Sequence, residues 1–149
     1  MPLKTIPNVL SPHLLQVLAL MGHGDEIVLA DAHFPSSSIC RSGPIEVRAD
    51  GLDIPTLLDA VLQLLPLDQY ENFPVSLMDL VQSDKDRNLQ TPVWLKYRQI
   101  IDKHESSKIQ TEKVERFAFY EKAKKAFAVV HTGETAQYGN IILKKGVAV

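Results

Sequence analysis

Ser11-Pro12 and Asp53-Ile54-Pro55 each place a capping side chain just ahead of a first-turn proline, and each opens a run whose apolar residues recur at helical spacing. The first run carries Leu14, Leu15, Leu18 and Met21 and predicts a helix stopped by Gly22; the second carries Leu57, Leu58, Val61, Leu62 and Leu65 and predicts a helix ended by Pro66. Between them, the β-branched runs "EIVLAD" and "IEVRAD" predict a buried and a half-buried strand separated by a Ser/Pro loop. "PVSLMDLV" predicts a further strand, and a third helix is expected from Thr91-Pro92 through Trp94, Tyr97, Ile100 and Ile101, ending in the polar "DKHESSK". "FYEKAKKA" carries good helix formers, with Glu121 three residues before Lys124. "FAVVHTGE" and "NIILKKGVAV" then read as two strands, the last running to the chain end. Such alternation predicts an α/β layered domain, with helices covering a mixed or mostly parallel sheet.

Composition narrows the partners. At 149 residues, 45% of them hydrophobic, the chain falls in the range of one domain with its own core, and we expect a single domain over 1–149. A formal net charge of -2 gives no positive field to draw in nucleic acid or an anionic membrane. Cys40 is the lone cysteine, so no intrachain disulfide or cysteine-based zinc cluster can form; a reducing, cytoplasmic location is the simplest expectation. The apolar start "NVLSPHLLQVLALMG" is interrupted by Pro12 and His13 and is too short to span a bilayer, so we expect neither a signal sequence nor a membrane span.

The densest chemistry lies in "MGHGDEIVLADAHFP". His23 stands between two glycines at a helix-to-strand junction, where backbone freedom can aim a side chain into a cleft; an ordinary histidine at a helix C-terminus fits the same position. Asp31 and His33 follow a strand at its carboxyl end, where α/β folds usually hold ligands. His23, Asp25, Asp31 and His33 are all suitable zinc donors, yet they match no standard spacing, neither His-Glu-x-x-His nor an acidic calcium loop. Asp68 in "PLDQY" reads as a turn residue, Met78 as strand core, and Tyr120 as part of an aromatic cluster whose phenol seeks a hydrogen bond. "TGETAQYGN" resembles a binding loop in composition but matches no phosphate-loop pattern. With no Gly-x-Ser-x-Gly elbow and no Rossmann fingerprint, the residues alone reach an α/β domain with a polar cleft and leave proton transfer, metal binding and a purely structural role open.

Five blocks in order, "MGHGDEIVLADAHFP", "ICRSGPIEVRADGLDIPTLLDAVLQLLPLD", "SDKDRNLQTPVW", "ERFAFYEKAKKAFAVVHTGE" and "YGNIILKKGV", resemble the fucose mutarotase and ribose pyranase family, in its L-fucose branch of animal type. The resemblance covers almost the whole chain; "DKHESSKIQT" matches no block, and Asn88 stands where many relatives carry glycine. It implies a three-layer α/β/α sandwich, homo-oligomers up to a ring-shaped decamer, no cofactor, and interconversion of the α and β anomers of a free monosaccharide. It also implies His23 as proton donor, Asp68 and Tyr120 as further catalytic groups, and Asp31, Met78, Tyr120, Tyr138 and Asn140 in the sugar site. Retention of "RFAFYE" favours L-fucose over ribose, with weaker ribose activity as a companion expectation.

Mutarotation opens a cyclic hemiacetal, turns the freed aldehyde and recloses it on the other face, so it needs one proton given and one taken. General acid–base catalysis supplies roughly 10²–10⁴ in rate, about 3–5 kcal/mol of barrier. His23 is expected to donate to the ring oxygen, with Asp68 orienting it. Tyr120, or a water it holds, would take the anomeric hydroxyl proton; a phenol with an ordinary pKa near 10 is a poor base at pH 7, so relay or orientation is its alternative role. Two rival readings are a non-catalytic sugar-binding module and a metal-dependent hydrolase built on His23, Asp25, Asp31 and His33. Trp94, at helical spacing, is read as core.

Overall fold

The computed structural model describes residues 3–148. In chain order its elements are α1 (Pro12–Leu20), β1 (Glu26–Ala30), α2 (Ser36–Cys40), β2 (Ile45–Ala49), α3 (Ile54–Leu62), β3 (Val75–Met78), α4 (Gln82–Asp86), α5 (Pro92–His104), β4 (Thr111–Val114), α6 (Arg116–Lys124), β5 (Ala128–Thr132) and β6 (Ile141–Lys144). Both predicted caps form: Ser11 Oγ accepts the Leu14 N–H at 3.1 Å, and Asp53 Oδ1 accepts the Thr56 N–H at 2.8 Å. Each satisfies an orphan donor of a helix start, worth about 1 kcal/mol.

The strands form one six-stranded sheet in the order β2-β5-β1-β6-β3-β4. β6 runs antiparallel to both neighbours, β1 and β3, while β1/β5, β2/β5 and β3/β4 pair in parallel. The sheet is therefore mixed, with one reversed strand wedged into a parallel run. Side chains alternate across it. Ile27 and Leu29 of β1 join Leu14, Leu57 and Tyr97 in a core under α1, α3 and α5; Val28 and Ala30 join Ile39 and Phe119 in a second core under α2 and α6. Two cores on two faces make the three layers expected, and explain why β1 reads as continuously apolar. Among the described residues, no helix is long and apolar enough to cross a membrane.

Several local expectations change. The Ser/Pro loop after β1 contains α2, whose Ile39 is needed to cap the second core. β6 ends at Lys144 instead of running on, because Lys145 and Gly146 turn to bond the 66–68 segment. Met21 leaves α1 in an extended conformation, and the left-handed residue of the following turn is Gly24 (φ 89), not Gly22. α4 and β4 had no sequence forecast: α4 buries no residue, and β4 is an edge strand whose "TEKV" lacks apolar alternation. Asn88 (φ 55) takes the left-handed conformation just after α4, a conformation that asparagine and glycine adopt at least cost.

Candidate functional site

The candidate residues fall into two groups, at opposite ends of the sheet. β1, β3 and β4 share one direction, and β6 opposes them, so the carboxyl ends of the first three and the start of β6 meet at one end. There the side chains after β1 (Asp31, Phe34), at the end of β3 (Met78), on α6 (Arg116, Tyr120) and before β6 (Tyr138, Asn140) line a crevice of about 350 Å³. That is the small end of the range of ligand pockets, and it lies where open α/β sheets hold ligands, beside a break in the parallel order.

Each wall of the crevice is held by its own bonds. Asn140 Oδ1 accepts the Asp31 N–H at 2.7 Å, tying the exit of β1 to the entry of β6 and leaving the amide NH₂ to donate elsewhere. Asp31 is buried, and burial pushes its carboxyl above the ordinary carboxylate value, opposed by the His33 N–H at 3.0 Å and by the His33 charge. Tyr138 is held in the left-handed region (φ 59), where a β-substituted residue costs energy unless it is tied down. Trp94 Nε1 donates to its carbonyl at 2.8 Å, its hydroxyl accepts the Val81 N–H at 3.2 Å, and that hydroxyl donates to Asp84 in a short bond. Burial first, and then Asp84, raise the Tyr138 phenol above its usual value. With both its donor and an acceptor site engaged, Tyr138 is left to offer mainly its ring.

Tyr120 packs edge-on against Phe34 with centroids 5.6 Å apart, and its phenol oxygen accepts from Arg116 Nε at 3.1 Å. The Tyr120 O–H proton is thereby free for another partner. Arg116 precedes Tyr120 by four residues, a spacing legible in "ERFAFYE" that puts both on one helical face. Asp84, the other charged wall residue missed, stands in a short helix with no periodic signal at all.

At the other end, where β1 and β3 begin and β6 finishes, His23 Nε2 lies 3.0 Å from Asp68 Oδ1. The Asp68 side chain is 8% exposed and that of His23 47%. Against the upward push of burial, the bond to His23, the Tyr70 N–H and the His23 and Lys144 charges hold the Asp68 carboxyl below its ordinary value. A carboxylate on Nε2 holds a proton there and leaves Nδ1 as the nitrogen that can exchange one with a ligand. The turn carrying His23 is clamped by Asp25, whose Oδ2 accepts the Gly22 N–H at 2.7 Å. His23 and Asp25 thus precede β1, and Asp31 and His33 follow it. The five residues of β1, at about 3.3 Å each, separate the two pairs by roughly 17 Å. Among the described residues, no three His, Cys, Asp or Glu side chains are placed to hold a metal ion.

The structure therefore gathers Asp31, Met78, Tyr120, Tyr138 and Asn140 at one end, pairs His23 with Asp68 at the other, and uses Trp94 to brace a wall. Residues 4–148 match the RbsD / FucU transport protein family. The chain belongs to this family. Among RbsD / FucU relatives it is 66% identical to a fucose mutarotase of Mus musculus over 97% of this chain and 94% of that protein. Its fold is similar to that of a Streptococcus pneumoniae fucose mutarotase solved in complex with L-fucose, with 48% identity, a TM-score of 0.89 and coverage of 99% and 100% of the two chains. A Bacillus subtilis RbsD complexed with D-ribose is more distant, at 25% identity and TM-score 0.71 over both whole chains.

Proposed function

We propose that this chain is an L-fucose mutarotase, a single mutarotase domain over 1–149 that interconverts the α and β anomers of L-fucose by metal-free general acid–base catalysis. The observation that carries this is chain-wide likeness to proteins named fucose mutarotases, including one solved in complex with L-fucose whose fold is similar at a TM-score of 0.89. The crevice supports it chemically. Asp31 and Asn140 offer an acceptor and a donor for sugar hydroxyls, and the Tyr138 ring with Met78 offers an apolar face for the sugar ring or its deoxy methyl group. Weaker ribose pyranase activity accompanies the reading.

In the forward half-reaction His23 Nδ1–H gives its proton to the ring oxygen as the bond from that oxygen to the anomeric carbon breaks. The anomeric hydroxyl passes its proton to a water held at Tyr120, with the phenol orienting that water or relaying by giving up its own O–H proton as it takes the new one, and the anomeric oxygen becomes the aldehyde carbonyl. Rotation of the aldehyde and the reverse transfers close the other anomer, so nothing is oxidised, hydrolysed or consumed.

His23 and the crevice stand at opposite ends of one sheet, so the reading requires two copies of the chain, one presenting its His23–Asp68 end to the crevice of the next. Tyr70, 83% exposed and 5.6 Å from the His23 ring centroid, and Phe117, 64% exposed beside Tyr120, offer apolar surface at both ends. A contact joining two different ends repeats head to tail, and it closes as a ring when the rotation from copy to copy divides a full turn. We therefore propose a homo-oligomer, up to a ring-shaped decamer, and assign it to the cytoplasm in keeping with its unpaired Cys40.

Saturation-transfer NMR on the anomeric protons of L-fucose tests the reaction at equilibrium. Wild-type protein is expected to raise the exchange rate well above buffer, and His23→Gln to lose about 10²-fold of that gain while staying folded. Binding of fucose with exchange left at the buffer rate would replace the enzyme by a sugar-binding module. Activity removed by chelator and restored by zinc would replace it by the metal-dependent reading.

A further inference from the structure

Resting on the mutarotase reading, we infer that Lys145 is a positioning residue for the proton donor: it joins the turn that carries His23 to the segment that carries Asp68 and sets the geometry between them. Neither partner is on a regular element. His23 sits on the Gly22–Asp25 turn, and Asp68 on the chain between α3 and β3. Their 3.0 Å contact must be set by whatever holds those two irregular segments together.

Lys145 is bonded to both. Its carbonyl accepts the Gly24 N–H at 2.8 Å and its N–H donates to the Asp25 carbonyl at 2.8 Å, so its backbone grips the His23 turn on the far side of the histidine. It also forms an antiparallel bridge with Leu67, flanked by Asp68 N–H to the Lys144 carbonyl at 3.0 Å and Gly146 N–H to the Pro66 carbonyl at 2.7 Å. The near side of the turn is held by the side chain. Lys145 Nζ donates to the carbonyls of Leu18 (3.1 Å) and Met21 (2.6 Å), the last turn of α1 and the residue immediately before Gly22.

An ammonium is well suited to that task. The C-terminal carbonyls of a helix lack intrahelical partners and carry partial negative charge. Met21 leaves α1 in an extended conformation, so no glycine-based C-cap satisfies them. Lys145 supplies the cap from a distant part of the chain, and in doing so pins both flanks of a turn that passes through Gly24 at φ 89. The close approach extends to the next residue: a Cβ on Gly146 would come within 2.7 Å of the Asp68 Cα, so the peptide after Lys145 is packed directly against the carboxylate's own backbone.

Lys145→Met keeps the aliphatic stem and removes the ammonium. We expect it to lower the maximal fucose exchange rate about tenfold with KM within twofold of wild type, because Lys145 bonds the His23 turn and the Asp68 segment and none of the side chains that line the sugar crevice. In the His23→Gln background the same change should slow exchange less than twofold, since Lys145 acts through His23. Long-range ¹H–¹⁵N spectra of the His23 ring give a readout independent of turnover: wild type should show a proton held on Nε2, and Lys145→Met a mixture of tautomers. Should Lys145→Met prove insoluble, Lys145→Gln, which keeps one donor, takes its place in every comparison. An unchanged rate per folded protein together with an unchanged tautomer, or an equal slowing in the His23→Gln background, would overturn the inference. Failure of wild type to accelerate exchange would instead overturn the mutarotase reading, and the tautomer spectra alone would then decide the structural role of Lys145.

Discussion

Asp31 and Asp68 are both buried carboxyls, and their surroundings move them in opposite directions. Burial raises Asp31, so its contribution to stability is present below the ordinary carboxylate pKa of about 3.9 and is lost as pH rises through the raised value. Asp31→Asn stays neutral, and its amide oxygen can still accept the His33 N–H. We expect its Tm at pH 7 to equal or exceed that of wild type in calorimetry, while KM for fucose rises at least tenfold, a trade of function against stability. Asp68 is held below its ordinary value chiefly by His23, once the opposing push of burial is overcome. Its contribution is therefore present above about pH 4 and lost as pH falls through the depressed value. The stability difference between wild type and Asp68→Asn, followed by denaturant titration, should shrink as pH falls below about 4 and be constant from there to pH 6. A difference that grew on acidification would mean that the Asp68 carboxylate is not the stabilised form.

α6 shows how an element delivers several site groups together. Glu115 caps it, accepting the Phe117 N–H at 2.6 Å and the Ala118 N–H at 3.4 Å, and Arg116 and Tyr120 project from its opening turns into the crevice. Glu115→Ala should cost about 1 kcal/mol and lower Tm by roughly 2–4 °C. Because the frayed turn carries Arg116, KM for fucose should rise more than the maximal rate falls, as read by exchange at several sugar concentrations. An equal fall of rate at saturating and limiting fucose would place the cap's influence on chemistry and not on the pocket. Element forecasts were dependable where a single residue type settles the matter. Ser11-Pro12, Asp53 and Thr91-Pro92 mark three helix starts, and the apolar runs of β1, β5 and β6 mark buried strands. They failed where an element draws its stability from neighbours: α2 and α4 are five residues each, too short to declare a period, and β4 is held by pairing to β3.

At the scale of the molecule, the separation of His23 from Tyr120 along β1 makes a specific demand on assembly. If each site takes its proton donor from one subunit and its sugar pocket from the next, inactive His23→Gln and Tyr120→Phe proteins should complement each other. Co-refolded or co-expressed mixtures contain contacts that join an intact His23 end to an intact crevice, and about a quarter of random contacts are of this kind. Exchange activity should accordingly return to roughly a quarter of wild type, a purely combinatorial expectation of head-to-tail pairing. The double variant His23→Gln/Tyr120→Phe mixed with wild type supplies the control. Light scattering that found only monomers with full activity, or mixtures no more active than their parents, would remove the two-subunit site.

What the sequence alone determined is whatever depends on nearby residues or on a long matched pattern: the capped helices, the buried strands, the mixed α/β class, the family, and the residue types that line the crevice. The aromatic setting of Tyr120 and the position of Asp31 at the end of a strand were legible for the same reason. Only the tertiary structure decided how those residues are grouped. The antiparallel insertion of β6 between β1 and β3 places Tyr138 and Asn140 beside Asp31 while sending Lys144 to Gly146 to the far end, against His23 and Asp68. Strand direction and order are set by non-local pairing, so "MGHGDEIVLADAHFP" shows its two histidines on either side of one strand but not that Asp68 meets the first end and Tyr138 and Asn140 the second. Asp84 and Lys145 were silent for that reason too: the partners that give them meaning, Tyr138 and the carbonyls ending α1, lie 54 residues away in the first case and 124 and 127 in the second.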